Sequence, residues 1–112
     1  MTRIWHNPRC SKSRQTLALL EERGIAPTIR NYLEDVPSET ELREVLAMLG
    51  KSAQDIARKG EADYKDNGLK NASEDALIKA MTQYPKIIER PIVLHGNKAA
   101  IGRPPEAILE IL

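Results

Sequence analysis

The order strand, helix, strand in the first third of the chain constrains the fold more than any other feature of the sequence. Residues 3–6 carry Ile4 and Trp5 and read as a strand. Residues 11–23 read as a helix with Leu17 and Leu20 on one face and Thr16 and Leu19 beside them, and Gly24 stands where a C-cap glycine belongs. Residues 28–33 read as a second strand. Because a helix separates the two strands, they are expected to run parallel, joined by a right-handed crossover. The first third is therefore a βαβ unit.

The remainder fixes the rest of the architecture. Ser38-Glu39-Thr40-Glu41 has capping-box spacing, and Leu42, Val45, Leu46 and Leu49 follow at i, i+3, i+4 and i+7 before Gly50. A shorter helical piece is expected over residues 52–59. Residues 60–72, polar and containing Gly68 and Asn71, read mostly as loop, with residues 63–71 a mobile loop able to cover the site or contact a partner. Ser73 caps a further helix with Leu77, Ala80, Met81 and Tyr84 on its inner face, ended by Pro85. Residues 92–95 and 98–101 flank Gly96-Asn97, an antiparallel hairpin with a type II′ turn. Pro104 at an N1-like position and Glu106 in the first turn open a last helix. The expected fold class is α/β: βαβ…ββα with a helical insertion and a mixed four-stranded sheet.

With 112 residues, 41% of them hydrophobic, residues 1–112 can form a single domain with a modest core. Lysines and arginines number 17 against 16 acidic residues, so bulk charge gives no support for nucleic-acid binding. No apolar run is long enough to span a bilayer and the N-terminus lacks a signal-peptide stretch, so a cytoplasmic protein without membrane contact is expected. A single cysteine cannot close an intramolecular disulfide. Two histidines and one cysteine give no metal site of recognisable spacing, and His95 reads as a hairpin-tip residue.

Cys10 lies in His6-Asn7-Pro8-Arg9-Cys10-Ser11-Lys12-Ser13-Arg14, where the first strand gives way to the first helix. First-turn N–H groups have no intrahelical partner and the helix dipole is positive there, so a thiolate is favoured over the neutral thiol. His6, Arg9, Lys12 and Arg14 offer further positive charge. Cys10 is thus a candidate nucleophile. His6 contributes if protonated or bonded to the sulfur, and the Ser13 hydroxyl is a candidate to orient it. Main-chain N–H groups of residues 7–13 could form an anion cradle.

His6-x3-Cys10-x3-Arg14, Tyr32-Leu33-Glu34, Arg58-Lys59, Glu89-Arg90-Pro91-Ile92-Val93 and Gly102-Arg103-Pro104-Pro105-Glu106 resemble, in order and spacing, the glutaredoxin-linked arsenate reductase family. The chain is similar to its shorter, housekeeping members. The resemblance covers residues 4–112 and implies a thioredoxin-like fold. It implies that Cys10 attacks arsenate, that Arg58, Arg90 and Arg103 hold the oxyanion, that glutathione is the co-substrate, and that glutaredoxin completes reduction to arsenite. It also implies a monomer without a bound cofactor, Arg14 supporting the loop, and a cis Arg90-Pro91 bond with Pro91 facing the cysteine. Two other readings stay open: a glutathione-dependent thiol-disulfide reductase, which needs the thiolate but not the arginines, and an Spx-like module that binds RNA polymerase without catalysis. Such regulators commonly carry a second cysteine where this chain has Ser13.

Overall fold

The computed structural model describes residues 1–112. Strand β1 (Thr2–His6), helix α1 (Ser11–Glu22) and strand β2 (Thr28–Asn31) form the βαβ unit, with β2 parallel to β1. α1 stops because Gly24 takes φ +75°, which lets its N–H reach Glu21 O and the Ile25 N–H reach Leu20 O, the paired bonds of a Schellman cap. Strands β3 (Ile92–His95) and β4 (Lys98–Ile101) form the hairpin and extend the sheet to the order β2-β1-β3-β4, with β3 antiparallel to both β1 and β4. Gly96 alone of the turn pair has positive φ, as a type II′ turn requires.

These elements belong to one compact unit, Met1–Asp35 with Arg90–Leu112. Its core joins Ile4 of β1, Leu20 of α1, Val93 of β3 and Ile108 of the terminal segment, all fully buried. Each such side chain contributes about 1.5–3 kcal/mol through burial. Trp5 is buried as well, with the Arg30 guanidinium 5.6 Å from its ring centroid. Thr2 Oγ1 and His95 Nδ1 lie 2.7 Å apart across the β1–β3 pair. The terminal segment Pro105–Ile111 is a 3-10 helix rather than an α-helix, and Pro104 is its N-cap while Pro105 takes the first helical position. Only seven residues long, it is too short for α-helical cooperativity to dominate, so packing of Ile108 sets its geometry.

The second unit, Val36–Glu89, is the helical insertion. Helix α2 (Glu39–Leu49) carries both reciprocal bonds of the capping box between Ser38 and Glu41. Two expectations need correction here. The helical piece over 52–59 shrinks to a 3-10 turn, Gln54–Ile56, because the backbone beyond it pairs elsewhere: Ala57 bridges Ile88, the Arg58 N–H donates to Ile87 O, and the Glu89 N–H donates to Ile56 O. Residues 60–72 are not mostly loop. They fold into helix α3 (Ala62–Asp66) and a 3-10 turn, Leu69–Asn71, anchored by buried Tyr64 and Leu69. The Tyr64 hydroxyl donates to Gln54 Oε1 and Gln54 Nε2 donates to Leu69 O, so a polar chain ties the segment down. Helix α4 (Glu74–Gln83) begins at Ser73, whose side chain accepts from the Ala76 N–H, and buries Ile78 alongside Leu77, Ala80 and Met81. No helix in the chain is long and apolar enough to cross a membrane.

Candidate active site

Strand register gathers the site. His6 ends β1 opposite Asn31 at the end of β2, Trp5 pairs with Ile92 at the start of β3, and Ile92 pairs with Ile101 at the end of β4. One end of the sheet therefore releases the Cys10 loop, receives Arg90-Pro91 and releases Gly102-Arg103. A bond from the Gly102 N–H to Pro91 O, 2.9 Å, continues the ladder past the strands.

Cys10 is the N-cap of α1, with extended backbone (φ −92°, ψ 123°). Burial of the sulfur opposes ionisation. It is outweighed by the Ser13 N–H, the charge of Arg90, the Lys12 N–H and a hydrogen bond from the Arg90 side chain, so the pKa falls below the ordinary cysteine value. The two N–H groups influence the sulfur without completing a side-chain capping bond. Arg90 thus joins the candidate nucleophile directly. Arg103 Nη1 lies 3.4 Å from Arg90 O, which places Arg103 beside the same segment. The Arg90-Pro91 bond is cis, and so is Arg103-Pro104, which the sequence reading did not anticipate.

Arg58 belongs to the second unit, where its Nη1 donates to Glu61 Oε1 (3.1 Å) and to Lys86 O (3.2 Å). Both donors of that nitrogen are engaged, which fixes the plane of the guanidinium. Glu61 was not among the residues singled out from sequence; its signal is the i+3 spacing from Arg58.

The supporting residues take more specific roles than the sequence suggested. His6 Nδ1 and Ser13 Oγ are 2.6 Å apart, and the Asn7 N–H donates to the same hydroxyl at 3.0 Å. The Ser13 hydroxyl therefore ties the end of β1 to the first turn of α1, and it is the Ser13 N–H that acts on the sulfur. Burial and the charge of Arg14 lower the His6 pKa, which favours the neutral imidazole over a cation beside the sulfur. Arg14 Nη1 donates to Pro8 O at 2.9 Å, a bond that ties the helix back to the preceding loop.

The anion cradle is also narrower than residues 7–13. The Asn7 N–H goes to Ser13 Oγ, the Arg9 N–H to Asn7 Oδ1 and the Cys10 N–H to Asn7 O, while Pro8 has no N–H. What remains is Ser11, Lys12 and Ser13, the first three residues of α1, whose N–H groups have no intrahelical acceptor.

Gly102 was missed. A Cβ there would overlap the Thr16 side-chain oxygen and come within 2.8 Å of Pro91 Cγ. Thr16 is fully buried and its hydroxyl is held by Lys12 O, so it cannot swing away cheaply. Gly102→Ala is expected to lower stability by about 1–3 kcal/mol through overpacking, read as a lower urea midpoint. An unchanged midpoint would show that the contact between α1 and the Pro91 turn is loose.

Residues 5–111 match the ArsC family. "Uncharacterized protein YfgD" of Escherichia coli K12 is 50% identical over 98% of this chain and 95% of that protein. An arsenate reductase of Neisseria meningitidis serogroup A is 48% identical over 98% of this chain and 97% of that protein. Among solved structures, an arsenate reductase from Vibrio cholerae superposes with a TM-score of 0.96 at 50% identity, covering 99% of this chain and 97% of that one.

Proposed function

The chain belongs to the ArsC family, and from that premise we propose that it reduces arsenate to arsenite, with Cys10 as nucleophile, glutathione as co-substrate and glutaredoxin as the protein that completes the reduction. The observation that carries this reading is the thiol at the α1 N-cap, with its pKa lowered by Arg90 and by the N–H groups of Ser13 and Lys12 against the opposing effect of burial.

Arsenate is an anion at neutral pH, and a thiolate approaching it meets repulsion. Arg90 and Arg103 relieve that repulsion, since guanidinium remains charged and presents paired donors to tetrahedral oxyanions. The Ser11 N–H, which is not engaged by the sulfur, adds a donor that needs no reorganisation. Sulfur attack forms an S–As bond and one arsenic oxygen leaves as water after proton uptake. Arsenic is still As(V). The glutathione thiol displaces a second oxygen as water, forming a second S–As bond. A glutaredoxin thiolate then attacks the glutathione sulfur, and a mixed disulfide forms. The electron pair of the broken S–As bond stays on arsenic, which becomes As(III), and hydrolysis frees arsenite and the Cys10 thiol. Two thiol electrons thus reduce one arsenate. The reaction needs no bound cofactor, and we place it in the cytoplasm, in a monomer.

Purified protein is expected to form arsenite only when arsenate, glutathione and glutaredoxin are all present, measured by separating arsenite from arsenate over time. Formation at the same rate without glutaredoxin would refute the proposed last step, and no formation at all would refute the substrate.

A further inference from the structure

The second unit contains a pocket of about 670 Å³ that the proposed chemistry does not use, a volume well inside the range of small-ligand sites. Buried Tyr64 and Leu69 form its floor, and exposed Lys59, Lys65 and Lys70 stand around it. Local sequence explains why the lysines gather. Gly68 takes φ +61° between α3 and the 3-10 turn Leu69–Asn71, so the chain bends sharply there, and Lys65 before the bend and Lys70 after it border one space.

The floor is fixed by Gln54, both ends of whose amide are engaged. Its Oε1 accepts from the Tyr64 hydroxyl at 2.9 Å, while its Nε2 donates to Leu69 O at 2.9 Å and to Lys70 O at 3.4 Å. The floor therefore offers apolar surface and no spare amide donor. Polar recognition falls to the lysines. None of the three makes an ion pair, and no acidic residue lines the pocket. Asp55 senses the charge of Lys59, but its carboxylate is bonded to the Ser52 N–H at 2.9 Å. The cluster also runs against the charge of its surroundings, since residues 36–89 hold eight lysines and arginines but ten acidic residues. Three ammonium groups around one concavity repel one another, and a bound anion relieves that repulsion.

The chemistry of the anion follows from the lining. A carboxylate would answer one of the three cations, whereas a phosphate monoester carries about −1.5 to −2 charge at neutral pH and three strong acceptor oxygens. Lysine meets such a group as a flexible point charge; arginine, which suits the planar carboxylate, is absent from the lining. Lysine is also depleted at protein–protein contacts, which favours a small ligand over a protein partner. We propose that this pocket binds a small organic phosphate monoester, with Lys59, Lys65 and Lys70 holding the phosphate and Tyr64 and Leu69 receiving an apolar, preferably aromatic, body. The site is independent of the arsenate reading and stands or falls without it.

The probe is 1-naphthyl phosphate. Titrated into the labelled protein, it is expected to shift the Lys65, Gly68, Leu69 and Lys70 amides saturably with a Kd below about 1 mM, and to bind more weakly as salt is added. Inorganic phosphate lacks the apolar body and 1-naphthol lacks the charge, so each should act on these amides at least about tenfold more weakly. The double variant Lys65→Gln/Lys70→Gln should weaken binding of the ester about tenfold. Both side chains are exposed, so its urea midpoint should hold. Lys59→Gln, outside α3 and the 3-10 turn, gives a separate check and should weaken binding about threefold. Shifts confined to the Cys10 loop and Arg90, inorganic phosphate binding as tightly as the ester, or an affinity unchanged in both variants would each overturn the assignment.

Discussion

Cys10→Ser is expected to lower arsenite formation at least about a thousandfold, because a serine hydroxyl without an adjacent base is a poor nucleophile and cannot form the S–As bond on which the reduction depends. This substitution separates chemistry from folding unusually well. Cys10 is the N-cap of α1, a position where serine is among the preferred residues and cysteine is not. The variant should therefore keep, or slightly raise, its urea midpoint while losing turnover. A variant that retains a tenth of the activity would remove Cys10 from the mechanism. One that loses activity together with its folded signal would contradict the capping argument instead.

Arg90→Gln is expected to have the next largest effect, since two functions converge on that side chain. Its charge and its hydrogen bond both favour the Cys10 thiolate, and the proposed chemistry also has it neutralise the arriving oxyanion. Removing the charge raises the Cys10 pKa. The pH profile of alkylation by iodoacetamide, which follows the thiolate fraction, should accordingly move to higher pH. Loss of an oxyanion donor typically costs about 100- to 1,000-fold in rate, so arsenate turnover should fall by that order even at a pH where the variant thiol is fully ionised. That residual loss distinguishes an oxyanion reductase from a thiol-disulfide reductase, in which raising the pH would restore activity. Arg90→Lys should restore the pH profile more fully than turnover, because a lysine replaces the charge but not the planar paired donors.

Much of the fold was legible because its signals are local. Gly24 after Leu20, the Ser38 to Glu41 capping box and Gly96-Asn97 between two apolar runs each specify a turn or an end within a few residues, and each is realised. Cys10 was legible for the same reason: strand, turn and helix start are consecutive. The cation that acts on it was not legible from that window. Sequence offered Arg9, Lys12 and Arg14, whereas the charge that lowers the pKa is that of Arg90, brought in by the antiparallel register of β1 and β3. Only the family resemblance pointed to Arg90.

Residues 60–72 failed as a reading because their anchors, Tyr64 and Leu69, are sparse and lack helical or strand periodicity, and their burial depends on Gln54 linking the two. Gly102 failed for a related reason. Its need for a missing Cβ comes from Thr16 and Pro91, neither of them near in sequence, and no turn or positive φ marks it. For Ser13 the sequence pointed to the hydroxyl, whereas its N–H faces the sulfur and the hydroxyl bonds to both His6 and Asn7.

The ultraviolet absorbance of the Cys10 thiolate as a function of pH, taken as the difference between the native protein and Cys10→Ser, tests most directly whether this sulfur is ionised for attack. The native protein should titrate with a midpoint below that of an ordinary cysteine, and Arg90→Gln should move it upward. A midpoint at or above the ordinary value would mean that burial prevails over Arg90 and the helix N–H groups, and that Cys10 does not rest as a nucleophile.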